Sequence, residues 1–377
     1  MVDMKKRTWA EVDLRSIDHN YHAIRRTLPE GTRFLGVVKA DAYGHGAVQV
    51  AMRLEKLGAE YLAVSCLDEA LELRHYGISI PILILGHTPA EYTEEIIDNN
   101  LTQTITCEAK AVEYSHQAAA CGKTMKVHIK VDSGMSRLGF LVAGEHYTGG
   151  IEGIVRSAHY PNLDVEGIFT HFAVSDEPNS AEDVAYTKKQ FELFMQVIAE
   201  CEKAGVHFRI RHCANTGAVV NYPEMALDMV RPGIALYGYG DDAGRIGLKP
   251  AMRLVSSITT IKVIDEGTDV SYGRIYRTNR KTRMAILGIG YADGLLRGAS
   301  NKLSFATRYG MAPQIGRVCM DMCMIDITDL PKELEVGAEV EIFGPSASAE
   351  SYAAAAGTIV YEVLCGVSKR VPRVYKG

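Results

Sequence analysis

The stretch Phe34-Leu-Gly-Val-Val-Lys-Ala-Asp-Ala-Tyr-Gly-His-Gly46 decides the fold. Five residues of an apolar run end on Lys39, a polar turn follows, and helix periodicity runs from Gly46 to Leu57. This is one βα unit, and the pattern recurs downstream. The further apolar runs are YLAVS (61–65), PILIL (81–85), LTQTIT (101–106), KVHIKVD (126–132), VEGIFTH (165–171), FRIRH (208–212) and DMVRPGIALYG (228–238). Helical spacing lies between them, as at Asp68 to Arg74, Ala109 to Ala120 and Ala181 to Ala204. Short buried strands alternating with helices signal parallel βαβ units, and eight of them predict a closed (β/α)8 barrel rather than an open doubly wound sheet.

Beyond Tyr239 the pattern changes. Gly240-Asp-Asp-Ala-Gly-Arg-Ile-Gly-Leu-Lys-Pro250 reads as a polar connection between domains. Strand-like alternation then fills 251–267, 284–294, 311–328 and 338–344, with helical character only at Ala349 to Ala356 and near Val360. The expected architecture is a barrel over 1–240 and a mainly β domain over 241–377. WAEVDL (9–14) alternates too and is open between the two.

Composition bounds the function. Lys+Arg 41 against Asp+Glu 46 gives a net charge of −5, which offers no footprint for nucleic acid. No apolar run is long enough to cross a bilayer, and residues 1–9 lack the apolar stretch of a signal peptide, so a cytoplasmic location is expected. The eight cysteines include no CxxC pair, and reduced, mostly buried thiols with no metal site are expected. Gly238-Tyr-Gly240 and Gly288-Ile-Gly290 are not spaced as a dinucleotide fingerprint.

Barrel active sites lie at the C-terminal ends of the strands. Those ends hold Lys39, Ser65, Asp132, His171, His212 and Arg231. A lysine beside apolar walls is pushed toward the neutral amine that forms Schiff bases. Taken alone, Lys39 reads as a snorkelling side chain or half of an ion pair. Asn215-Thr-Gly217 after strand seven and Arg231-Pro-Gly233-Ile234 at strand eight stand where barrels hold phosphate, although each alone is a turn. Together with an activated lysine they suggest pyridoxal 5′-phosphate.

VVKADAYGHG (37–46), KVDSGMSRLGF (130–140), HFAVSD (171–176), MVRPGIALYG (229–238), VSYG (270–273), GYADG (290–294), GRVCMD (316–321) and RVPRVY (370–375) occur in this order. With them the sequence resembles the alanine racemase family over essentially its whole length. The resemblance implies that Lys39 carries the cofactor and acts as one acid–base group, with Tyr272 as the second base across the cofactor plane. It gives Arg231 to the pyridine nitrogen, His171 to the ring's flank, and Tyr43, Asn215, Thr216, Gly233 and Ile234 to the phosphate. Arg137, Tyr291, Met320 and Asp321 fall to the substrate side, and Lys130 matches a lysine carbamylated in many members. It also implies a homodimer with composite active sites, the β domain of one copy completing the barrel site of the other. The activity implied is interconversion of L- and D-alanine, supplying D-alanine for peptidoglycan. A serine or broad-specificity racemase is the alternative, because Lys369 stands where some members have a tyrosine. A related barrel decarboxylates basic amino acids but needs no counterpart of Tyr272.

Overall fold

The computed structural model describes residues 7–240 and 243–377; positions 1–6 of the leader reading and Asp241-Asp242 of the polar connection lie outside them. The described residues form two compact units, one of 18–42 and 47–249, the other of 7–17, 43–46 and 250–377.

The chain opens with β1 (Thr8–Asp13), a strand of the second unit. The first unit holds β2 (Arg33–Val37), β3 (Tyr61–Val64), β4 (Ile82–Ile84), β5 (Leu101–Ile105), β6 (Met125–Asp132), β7 (Phe140–Leu141), β8 (Leu163–Phe169), β9 (Ile210–His212) and β10 (Met229–Val230). Eight of these pair in parallel in the order β10-β2-β3-β4-β5-β6-β8-β9, and β7 is a short addition to β6. The circle is closed by backbone bonds from Asp228 N–H to the Arg211 carbonyl (3.1 Å) and from Arg231 N–H to the Ala214 carbonyl (2.9 Å). The fold is therefore a (β/α)8 barrel. Strands β3, β4 and β5 are buried along their whole length, which is why they read as continuous apolar runs. Helices such as Ala47–Leu57 and Ala181–Lys203 return the chain between strands. The latter starts where the Ser180 hydroxyl accepts the Asp183 N–H, with Glu182 and Asp183 in its positive first turn.

The second unit is mainly β. Its strands are β11 (Met252–Ile264), β12 (Asp269–Val270), β13 (Tyr276–Arg277), β14 (Thr282–Leu287), β15 (Ser304–Thr307), β16 (Gly310–Ile315), β17 (Cys323–Asp326), β18 (Glu339–Phe343) and β19 (Arg373–Lys376). The order is β14-β17-β16-β15-β18-β11-β1-β19, and a further β14–β11 pairing closes a ring. The 13-residue β11 pairs with β18 and β1 along one half and β14 along the other, with register shifts at Leu254/Val255 and Ile258/Thr260. Such bulges bend a strand enough to serve two directions. Glu11 and Glu341 flank this strand, and Arg253 on it pairs with both carboxylates (3.3 and 2.7 Å).

All eight cysteines are free, but the expectation of mostly buried thiols fails: Cys201, Cys213 and Cys323 are buried while Cys66, Cys107 and Cys365 are exposed. Cys66 and Cys107 are helix N-cap residues just past β3 and β5, positions on the rim rather than in the core. No helix of the described residues is long and apolar enough to cross a membrane.

Candidate active site

Lys39 stands two residues past β2, and the backbone after it is unusual. Ala40, Asp41, Ala42 and Tyr43 all take positive φ (52, 54, 52 and 53°), one turn of left-handed helix. Each L-residue there costs about 1–2 kcal/mol, so the turn persists only because its surroundings hold it. The Ala42 N–H donates to the Val38 carbonyl (2.9 Å), and the Ala47 N–H to Asp41 Oδ1 (2.8 Å). Glu69 grips it from the neighbouring helix: its two carboxylate oxygens accept the N–H groups of Ala40 and Ser65, both at 2.7 Å. Tyr43 to Gly46 belong to the β unit, where the Tyr43 ring lies 6.0 Å from that of Tyr361. Burial pushes the Tyr43 hydroxyl well above the ordinary phenol range. The glycines of this segment are required: a Cβ on Gly44 would sit 2.2 Å from the Leu364 carbonyl, and one on Gly46 only 1.8 Å from the Tyr375 hydroxyl.

Arg231 is buried at the barrel mouth. Its Nη2 donates to the carbonyls of Thr170 (2.8 Å) and Cys213 (3.0 Å) and reaches His171 Nδ1 at 3.3 Å, while Nη1 donates to His212 Nδ1 (3.0 Å). None of these partners among the described residues is a carboxylate, and burial lowers the guanidinium to about 10. Its Nε–H and one Nη1 hydrogen stay uncommitted there. Lys130 on β6 is also buried, its ammonium 4.9 Å from the centre of the Phe169 ring. Burial first, then Arg231, hold it well below the ordinary lysine range, so its neutral amine is favoured. Burial, followed by the positive charges of Arg231, Lys130, Arg137 and Lys39, keeps His171 neutral. Those five side chains therefore share one electrostatic neighbourhood.

Arg137 sits on a loop built by Asp132, the last residue of β6. The buried Asp132 carboxylate accepts the N–H groups of Gly134, Ser136 and Arg137, each at 3.0 Å, which lets Ser136 adopt a φ of 55°. Asn215 caps the helix Thr216–Asn221 by accepting the Ala218 N–H (3.2 Å), and the Gly233 N–H donates to the Thr216 hydroxyl (2.9 Å). The structure thus brings Asn215, Thr216, Gly233 and Ile234 into one loop pair. His212, expected among the mouth residues, is wholly buried, set between Arg231 and His128. Glu69, His128 and Glu166 were not singled out in the sequence. Two of them are polar residues inside strands, and that position was the available signal.

The β unit gathers Tyr272, Tyr291, Met320 and Asp321. The N–H groups of Tyr291 and Ala292 donate to the carbonyls of Cys319 and Met320 (2.9 and 3.0 Å), and Ser271 Oγ donates to the Arg317 carbonyl (2.7 Å). Buried Asp293 locks the turn: Arg7 meets it with two bonds (2.9 and 2.8 Å), Arg370 approaches at 3.2 Å, and the Gly290 N–H adds a bond at 2.9 Å. Arg370 also holds Asp321 (2.8 Å). Ser271, Gly273 and Arg274 have positive φ (66, 72 and 49°), so Tyr272 is carried outward on a tight turn. It is 70% exposed, Met320 53% and Tyr291 43%. Lys369 is exposed beside Arg370.

Two family models cover almost the whole chain. One described as "Alanine racemase, N-terminal domain" matches residues 12–241, and one described as "Alanine racemase, C-terminal domain" matches 251–375. The alanine racemase of Desulfovibrio desulfuricans is 45% identical, with all of both chains covered. Alanine racemase 2 of Caldanaerobacter subterraneus is 42% identical over all of this chain and 96% of its own. The structure of the Clostridium difficile alanine racemase aligns with a TM-score of 0.90 at 41% identity, covering 98% of this chain and 95% of that one.

Proposed function

The chain belongs to the alanine racemase family, and from that premise we propose that it interconverts L- and D-alanine with pyridoxal 5′-phosphate by a two-base mechanism. The observation that carries the reading is the convergence of Lys39, Lys130, Arg137 and Arg231 on neutral His171, beside a guanidinium with uncommitted N–H donors. That donor set fits an anionic phosphate ester and a substrate carboxylate. Lys39 would hold the cofactor through its amine, Arg231 would donate to the ring nitrogen beside His171, and Tyr43, Asn215, Thr216, Gly233 and Ile234 would hold the phosphate. When bound, the cofactor supplies an electron-withdrawing ring that makes the α-proton of an attached amino acid removable.

The chain's own groups divide the remaining work. Lys39 Nζ takes or returns the proton at Cα on one face, and Tyr272 Oη does so on the other. Arg231 keeps its own protons and leaves the ring nitrogen an acceptor, which limits how far the electron pair spreads and disfavours transamination. Arg137 receives the substrate carboxylate. Lys130, neutral and buried, is the right nucleophile to take up carbon dioxide as a carbamate, releasing one proton and gaining the negative charge that would orient Arg137. Carbon-13 bicarbonate should then give a carbamate resonance that Lys130→Ala lacks.

Exposure of Tyr272, Tyr291 and Met320 supports a homodimer in which they complete the barrel site of a second copy with Asp321. Location in the cytoplasm and supply of D-alanine to peptidoglycan complete the proposal. The test is deuterium wash-in at Cα from both enantiomers for the wild type, Lys39→Ala and Tyr272→Phe. Each variant should lose racemisation, and near-full activity of Tyr272→Phe in both directions would remove it as second base. Mixing the two inactive variants should restore about a quarter of wild-type activity through heterodimers with one intact composite site. A higher kcat/KM for serine than alanine would favour the alternative left open by Lys369.

A further inference from the structure

A chain of buried hydrogen bonds runs from Arg231 away from the barrel mouth. His212 Nδ1 faces Arg231 Nη1 at 3.0 Å, His212 Nε2 faces His128 Nδ1 at 2.9 Å, and His128 Nε2 faces Glu166 Oε2 at 3.4 Å. Both histidines are wholly buried, and the Tyr61 hydroxyl is near enough to Glu166 to act on its charge. The proton order along this line follows from one fact: arginine only donates. His212 Nδ1 must accept, so a neutral His212 carries its proton on Nε2 and gives it to His128 Nδ1. His128 then carries its proton on Nε2 and gives it to the carboxylate.

We propose that His128 and Glu166 are positioning residues for Arg231: they fix His212 as the neutral Nε2–H tautomer, whose Nδ1 anchors the guanidinium that faces the cofactor ring. The anchoring matters because the acceptors that meet Arg231 among the described residues are carbonyls and ring nitrogens, none of them a carboxylate. If His212 turned its N–H toward Arg231, two donors would meet, and the guanidinium would keep its Nη2 bonds to the Thr170 and Cys213 carbonyls but lose the bond that fixes Nη1. Burial would push the Glu166 carboxyl up, but the bond from His128 and the nearby Tyr61 hydroxyl overcome this and hold it below the ordinary range. The far end of the line is therefore an anion, and a charged acceptor biases the whole line in one direction. Gly167, beside Glu166 on β8, leaves the room that the arrangement needs: a Cβ there would lie 2.6 Å from the His128 ring.

The inference rests on the reading of Arg231 as the group facing the cofactor ring. The test is nitrogen-15 NMR of histidine-labelled holoenzyme, which distinguishes protonated from bare ring nitrogens whether or not the enzyme turns over. The wild type should show His212 and His128 protonated on Nε2 only. Glu166→Gln keeps the shape but removes the charge; His212 should become a mixture of tautomers, with kcat for alanine down about tenfold to a hundredfold and KM little changed. Glu166→Asp keeps the anion and should restore the single tautomer and most of kcat. An unchanged His212 spectrum in Glu166→Gln, with or without loss of activity, would overturn the proposal and leave Glu166 a purely structural part. Complete absence of racemase activity in the wild type would instead refute the proposed function, and the spectrum would still be readable.

Discussion

Lowering the pH from 7.5 to 5.5 should destabilise the barrel far more steeply than its surface charges can explain. His128 and His212 are wholly buried and His171 partly so, and loss of solvent heads the causes holding each below the ordinary value of 6.5, with Arg231 adding to it in all three. In the unfolded chain they titrate normally, so the unfolded state takes up protons that the folded state refuses. The sign follows: stability is complete above pH 6.5 and is lost as pH falls through it. At pH 5.5 each histidine that stays neutral in the fold costs about 1.4 kcal/mol. His171 and His212 count fully because they lie well below the ordinary value, while the Glu166 bond raises His128 and reduces its share. The expected loss is about 3–4 kcal/mol, a large part of a typical domain stability. Carboxylates held low by arginine, such as Asp228, act only at lower pH and do not enter this window. The assay is urea unfolding at fixed protein concentration, followed by circular dichroism. Tryptophan emission is the wrong probe, since the sole tryptophan is Trp9, on β1 in the β unit. A barrel transition whose free energy changes by less than about 1 kcal/mol over that interval would refute the assignment of three neutral histidines.

Glu69→Gln should lower kcat about tenfold with an unchanged circular dichroism spectrum, because the amide has one acceptor oxygen where the carboxylate has two, and the bridge from the Ala40 N–H in the Lys39 turn to the Ser65 N–H past β3 is broken. Unaltered kcat would show that the left-handed turn holds itself. Gly167→Ala should cost about 1–3 kcal/mol in urea unfolding, since the His128 ring must move to admit the methyl group. A wild-type midpoint would mean that β8 shifts freely. Asp293→Asn should weaken the clamp on the Tyr291 turn by about 1.5–3 kcal/mol and raise the KM for alanine; an unchanged KM would detach that turn from substrate binding.

The barrel was legible because parallel strands buried on both faces leave continuous apolar runs, and Lys39, His171 and Arg231 follow the ends of three of them. The β unit was half legible. Strand β11 shows in its length, but β15 and β19 have four residues each and β12 and β13 two, too short for alternation to register. The left-handed turn after Lys39 was not legible, since Ala-Asp-Ala-Tyr carries no glycine and its geometry is imposed from outside by Glu69. The Arg231 line escaped for a related reason: His128 and Glu166 are 38 positions apart, and only the parallel pairing of β6 with β8 makes them neighbours, while closure of the barrel between β9 and β10 sets His212 beside Arg231.

Strand β1 lies between β11 and the parallel β19, and Lys376 on β19 pairs with Glu11 on β1 across 365 positions. During synthesis on the ribosome, β1 must therefore wait for some 365 further positions before its second neighbour exists. The loop closed by that pairing is long, so its entropy is paid late. Until β19 is made, β1 is paired with β11 on one side only and presents its other edge to whatever strand is near.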